Sequence, residues 1–410
     1  MRVLVEIMDK DPIANVLGAC IFSPEIVVFL CDKREALFVK EAAIYRLLRR
    51  RKLKTRPRFL YFNAASPEKT RDVLAAVLRD YPGCVFDFTG GKDLVLLQAG
   101  AYCLPLGVPG YYVDLPTGRF INVQHCAHLE KEFCIPSFSA EDVFALTGAA
   151  IQGSGHFERE ELSEQGFEDA ALDVWKIVQA NPRAWGEFVA YLQAVASKTP
   201  MAVLEAAGPL TLKSGRHPAR YQPAIFQKLL RLGVLSRYNE SGKQVSFTFK
   251  NVLYKKCLLN QGVWLELFCY VTAKRSGLFG DVRTSVVVDW DGLHREVEST
   301  KNEVDVVLVK GITPVFVSCK MSVPTPLALS EIRVLSDKFG GAITRTVMLT
   351  ADVLGKECHA LKTRAKDLDI LLLDRAVMES GRLAEMLERA AWGRSTLDGI
   401  SAPTVRQKPE

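Results

Sequence analysis

No stretch of this 410-residue chain is long and apolar enough to span a bilayer, so nothing in it reads as a membrane-spanning helix. The opening MRVLVEIMDKD reaches acidic residues too soon to hold the apolar core of a secretory signal, and a cytoplasmic location is expected. Ten cysteines are scattered without a single C-x-x-C pair, which suits reduced thiols and excludes a disulfide framework or a paired zinc knuckle. Neither G-x-G-x-x-G nor G-x-x-x-x-G-K-[ST] occurs, so nicotinamide cofactors and ATP have no support. No internal repeat is visible. What is present is ordinary for a globular protein: 48% hydrophobic residues, 24% charged, and a net charge of +6 that is compatible with a polyanionic partner without specifying one.

The length predicts two or three domains. Over residues 1–145 apolar strand-like runs (RVLVEIM, IVVFLC, PRFLYFN, GCVFDF) alternate with amphipathic helical segments, the pattern of a mostly parallel Rossmann-like sheet. Residues 146–250 read as a helical connector closing on FQKLLRLGVLSRYNESGKQVSFTF, a helix and a hairpin with its turn at Asn239–Gly242. Such an ending also closes a winged-helix unit, although a plain connector is the simpler expectation. Residues 251–394 form a second α/β region, beginning with a long helix, and a disordered polar tail is expected over 395–410.

Two places carry chemistry. In NEVDVVLVKGITPVFVSCK (302–320) a hairpin turning at Gly311–Ile312 sets Asp305 opposite Ser318 and Glu303 opposite Lys320, all on one face. Upstream, Glu266 stands alone among the apolar residues of GVWLELFCYV and needs a cation nearby. The economical reading joins them: Glu266, Asp305 and the Cys319 carbonyl gather a divalent ion that favours hard oxygen ligands, with Lys320 beside the phosphate. Taken singly, these residues read better as structure, Glu303 and Lys320 as a cross-strand ion pair and Asp305 as a hydrogen-bonded strand end; it is the set that points to a site. The other place is CVFDFTGGKDLVLLQAGAYCL, a strand, a Thr-Gly-Gly-Lys turn and a helix. Its adjacent glycines and helix start suit a phosphate, or simply a tight turn.

Helix Glu266, strand Asp305 and the following Ser318-x-Lys320 resemble the PD-(D/E)xK restriction-endonuclease-like fold over about residues 251–390, with Ser318 departing from the usual carboxylate. DPIAN and DFTGGKD resemble the CRISPR-associated Rossmann-fold (CARF) domain, and the whole chain resembles the CARF nucleases of type III CRISPR systems. That resemblance implies a homodimer activated by one cyclic tetra-adenylate and cleaving DNA or RNA with manganese or magnesium. It places ligand binding on Asn15, Thr89, Gly90, Gly91 and Lys92, and catalysis on Glu266, Asp305, Ser318 and Lys320. The alternative is a nucleotide-sensing regulator that binds nucleic acid through a degenerate nuclease site. Three other features read as structural: the basic run YRLLRRRKLKTRPR as a solvated helix end, QHCAHLEKEFC as lacking zinc spacing, and Trp290–Asp291 as a turn.

Overall fold

Strand β1 (Val3–Ile7) is buried at all five positions, as a strand must be when helices cover both faces of a parallel sheet. It lies at the centre of six: β2 (Ile26–Asp32), β3 (Arg56–Phe62), β4 (Val85–Asp87), β5 (Gly110–Asp114) and β6 (Arg119–Gln124), in the order β3-β2-β1-β4-β5-β6. Every pairing is parallel except β5–β6. The N-terminal region is therefore the expected Rossmann-like sheet. The computed structural model describes residues 1–10, 12–34, 38–155, 157, 161–212, 219–290, 301–341 and 343–393. The tail expected over 395–410, and Asp291, lie outside them.

A second six-stranded sheet runs β15-β14-β13-β12-β11-β7. Its edge strand β7 (Ala150–Ser154) comes from just beyond the N-terminal region and pairs with β11 (Asp281–Asp289). The central hairpin is β12 (Lys301–Lys310) and β13 (Thr313–Lys320), turning at Gly311 with φ +58°. Beyond β13 the strands β14 (Arg345–Thr350) and β15 (Ile370–Leu373) add in parallel. The long helix expected after Asn251 is two helices, Val252–Leu258 and Val263–Ser276. They part at residues 259–262, where the Asn260 side chain accepts a hydrogen bond from the Gly262 N–H and holds a turn.

Between β7 and β11 in the sequence the chain forms a smaller unit, which shares its core with the second sheet. Helix Pro182–Ala196 precedes β8 (Glu205–Pro209); helix Pro223–Arg231 then leads into β9 (Leu235–Ser241) and β10 (Gln244–Phe249). The three strands run in the order β8-β10-β9. The hairpin turns at Gly242–Lys243, two residues beyond the expected Asn239–Gly242, because Gly242 takes φ +60° at the first central position, where two-residue turns favour glycine. Lys255 is fully buried, yet its ammonium donates to Thr199 Oγ1, Pro200 O and Val203 O, which satisfies the charge and ties the second α/β region to this unit.

Two candidate sites, one at each sheet

In a sheet ordered β3-β2-β1-β4-β5-β6 the connections change direction between β1 and β4, and their carboxyl ends open a crevice there. The residues of the glycine loop gather at that point. Gly90 packs so closely that an added Cβ would lie 2.5 Å from Ala14 Cβ, and at Gly91 (φ +138°) it would lie 2.5 Å from Ile7 Cγ2. Only glycine lets the loop lie against the end of β1.

The loop's polar groups are already engaged. The Gly91 N–H donates to Asp9 Oδ2 at 2.6 Å, and the Thr89 hydroxyl accepts from the Val113 N–H at 2.9 Å. Asn15 is wholly buried: its amide donates to Ile7 O and its carbonyl accepts from the Asp9 N–H, both at 2.8 Å. Asn15 therefore shapes the strand end rather than facing a ligand. Lys92 forms a 2.6 Å ion pair with buried Asp32, which also holds Arg34. Arg34 foremost, with Lys92, keeps the Asp32 carboxyl well below the usual carboxylate range.

Beneath the loop three buried polar residues stand in one row across the sheet: Glu6, Asp87 and Tyr111 are register partners on β1, β4 and β5. Burial, reinforced by the Asp87 charge, pushes the Glu6 carboxyl well above its usual range. Burial raises Asp87 to about 6 against the pull of Thr89 and Tyr111.

In the second sheet the β12–β13 register is the expected one, running from Val306 opposite Val317 to Lys310 opposite Thr313. One step further, Asp305 Oδ2 accepts from the Cys319 N–H at 2.6 Å and from the Ser318 hydroxyl at 3.2 Å. A carboxylate thus takes the main-chain donor of Cys319, and the registered pairing stops short of Glu303 and Lys320. Glu303 instead lies against Gly155, where an added Cβ would sit 2.5 Å from its Oε1.

Asp305, Ser318 and Lys320 line one cleft of about 560 Å³ with Glu303, Trp290 and the helix Pro326–Phe339. The Cys319 side chain is buried beside Cys269 of helix Val263–Ser276, close enough to Asp305 and Glu266 that burial, Cys269 and the two acids together push its thiol well above the usual range. Glu266 sits on that helix, 9% exposed, and its Oε2 has no hydrogen-bond partner among the described residues. Burial, then Asp305 and then Glu303, push its carboxyl up to about 8, against the opposing pull of Lys320. Glu266 therefore belongs to the electrostatic neighbourhood of the hairpin acids although it does not line the cleft. Among the described residues no three His, Cys, Asp or Glu side chains gather at metal-binding spacing. The orphaned oxygen of Glu266 and the hard-oxygen character of Asp305 and a main-chain carbonyl nevertheless suit magnesium or manganese.

No family model and no curated protein matches the sequence. Solved structures do. VC1899 from Vibrio cholerae superposes with a TM-score of 0.75 at 17% identity, over 96% of this chain and 99% of that one. Can2 from Sulfobacillus thermosulfidooxidans, solved with cyclic tetra-adenylate, gives a TM-score of 0.68 at 13% identity, over 95% of this chain and 99% of its own. The chain shares its fold with both. At these identities the likeness concerns the fold, and the residues must carry any chemistry themselves.

Several residues of the two sites escaped the reading of the sequence. Asp32, which ends β2 and pairs with Lys92 of the glycine loop, is one, and an acid at the carboxyl end of a parallel strand is the signal that could have found it. Ser285, buried with φ +51°, lies beside Glu266. Trp290, expected to mark a turn, lines the cleft, and its indole N–H donates to Asn302 Oδ1 at 2.7 Å. The basic run is less solvated than expected: Arg50 and Arg51 both pair with Asp142 at 2.9 Å.

Proposed function

We propose that this chain is a divalent-metal-dependent endonuclease of type III CRISPR defence, cytoplasmic and homodimeric, switched on by cyclic tetra-adenylate. The observation that supports it most is the pairing, in one chain, of a glycine loop at the Rossmann switch point with an Asp305–Ser318–Lys320 cleft backed by Glu266. The shared fold with the cyclic tetra-adenylate complex of Can2 adds weight.

Glu266, Asp305 and the Cys319 carbonyl would hold the cation, which when bound supplies charge to offset a phosphate's negative oxygens. The chain's own groups do the rest. Ser318, in place of a carboxylate, donates to Asp305 and fixes the orientation of its oxygens. Lys320 brings a positive charge to the cleft, where it opposes the charge that builds on phosphorus substituents during hydrolysis. Glu266 holds a proton in the metal-free state and must release it to serve as a ligand. At the other sheet, ligand phosphates would compete with Asp32 for Lys92 and with Asp9 for the Gly91 N–H, so binding must rearrange the loop. A ring of two-fold symmetry suits a two-fold dimer, in which each protomer reads the same half.

The rival reading is a regulator without cleavage. Ser318, a weak neutral group where a third ligand would stand, favours it. One assay separates the two: supercoiled plasmid or single-stranded RNA with the protein, manganese or magnesium, and cyclic tetra-adenylate. The enzyme predicts ligand-dependent cleavage that Asp305→Ala and Lys320→Ala each lower by roughly 100-fold or more. Ligand binding with no cleavage under either metal would establish the regulator.

A further inference from the structure

Strand β11 carries one residue that ordinary strand geometry rejects. Ser285 has φ +51°, in the left-handed region, although it lies in mid-strand and is fully buried. A residue with a Cβ is strained there, whereas glycine adopts the same backbone freely. The serine side chain is what needs explaining.

The strand pairing locates the irregularity. Along β11 and β12 the register is the same on both sides of it, with Thr284 opposite Val306 and Val286 opposite Val304, and it lapses only between them. The lapse falls where Ser285 stands opposite Asp305. There the Asp305 main-chain carbonyl accepts from the Thr284 hydroxyl at 3.1 Å, and the Ser285 carbonyl accepts from the Gly155 N–H at 2.8 Å. The faces of the sheet change places at this step. Val306 and Leu308 pack in the core with helix Val263–Ser276, whereas Val304 and Val286 pack in the other core with Phe316 and Met348. In a regular strand, positions 304, 306 and 308 would share one face. Thr284 pairs with Val306, so regular continuation would turn residue 285 away from that helix. The left-handed backbone turns it back.

Two buried oxygens without partners meet at this step. Neither Ser285 Oγ nor Glu266 Oε2 has a hydrogen bond among the described residues. Burial raises the Glu266 carboxyl, and the Ser285 hydroxyl is among the groups that pull it back, so the two side chains are neighbours. A hydroxyl can donate, and an ionised carboxylate can only accept, so ionised Glu266 is the partner the hydroxyl lacks. Asp305 then has a serine opposite it on each adjoining strand. Ser318 on β13 donates to Asp305 itself, and Ser285 on β11 stands beside Glu266.

We infer that Ser285 is a positioning residue: its hydroxyl donates to the Glu266 carboxylate and leaves the second carboxylate oxygen for the cation. The inference rests on the reading of Glu266 as a cation ligand and adds the residue that aims it. An outer hydrogen bond of this kind orients a ligating group and raises metal affinity without touching the metal.

The test is calorimetric titration of manganese into the full-length protein without nucleic acid, beside thermal melts of the metal-free variants. Ser285→Gly removes the hydroxyl and relaxes the backbone, so its melting temperature should equal or exceed the parent's. Its manganese affinity should nevertheless fall by about tenfold. Ser285→Ala should lose the same affinity and melt below the glycine variant, because alanine keeps the strain. Three results would overturn the inference: no manganese binding by the parent, parent-like affinity in either variant, or an affinity loss in Ser285→Gly that comes with a lower melting temperature, the mark of a merely structural residue. The two readings fail separately. Manganese binding without cleavage of plasmid or RNA would end the nuclease and leave Ser285 in its role. Parent-like affinity in the variants, with cleavage intact, would end the role of Ser285 alone.

Discussion

Both six-stranded sheets bury acids with raised pKa near their candidate sites, but the residues assigned to the two sites differ in how far the chain itself satisfies them. At the first sheet the assigned polar groups already have partners within the chain: Lys92 has Asp32, Gly91 has Asp9, Thr89 has Val113, and Asn15 has Ile7 and Asp9. At the second, Glu266 is buried with an oxygen that has no hydrogen-bond partner among the described residues, and burial and the acids nearby keep its proton on against the pull of Lys320. A pre-satisfied loop resists a ligand until that ligand offers better partners, which suits a switch. An unsatisfied buried acid is a standing cost that a cation can relieve, which suits a site that works only when loaded.

That contrast can be broken or sharpened by measurement. The largest effect is expected from Lys92→Ala and Thr89→Ala. Each should cut ligand-stimulated cleavage by about 100-fold, through some 2–3 kcal/mol of lost coupling, while leaving unstimulated cleavage alone. Full stimulation in both variants would remove the first site from the comparison. Next comes Gly90→Ala, whose methyl group meets Ala14 Cβ at 2.5 Å. It should destabilise the N-terminal region by about 1–3 kcal/mol, seen as a lower midpoint in urea.

Ser318→Asp should tighten manganese by about tenfold in calorimetry by adding a carboxylate, and should lower the metal-free melting temperature by placing a charge beside Asp305. Smallest is the effect of Glu266→Gln on stability. The Glu266 carboxyl is raised from 4.5 to about 8 in the folded chain, so below pH 4.5 both folded and unfolded states carry the proton and nothing is lost. Between those values the unfolded state ionises while the folded state does not, and the folded form is progressively disfavoured. The glutamine variant escapes this, so its melting temperature should match the parent at acid pH and exceed it by roughly 2–4 °C above pH 8. An equal melting temperature at both ends would show that Glu266 is not held neutral.

Much of this was legible from residue order. The fully buried β1, the alternation of strand and helix, and the Gly311 turn that puts Asp305 opposite Ser318 are local consequences of pattern and turn geometry. The engagement of Lys92 by Asp32 was not legible, because the two lie 60 residues apart and meet only when β2 and the glycine loop reach the same sheet edge. Nor was the third strand of the small unit: β8, with its short EAAGP sequence, has too little apolar character to announce itself and is a strand because β10 supplies its hydrogen-bond partners.

The sequence by itself determined which segments become strands and helices, where glycine is required, and which acids and lysine share the hairpin face, since these follow from side-chain periodicity and backbone sterics. The tertiary structure alone decided which charges are spent on one another and which are left over. Coulomb energy and desolvation depend on distance and burial, and neither exists until remote segments have packed.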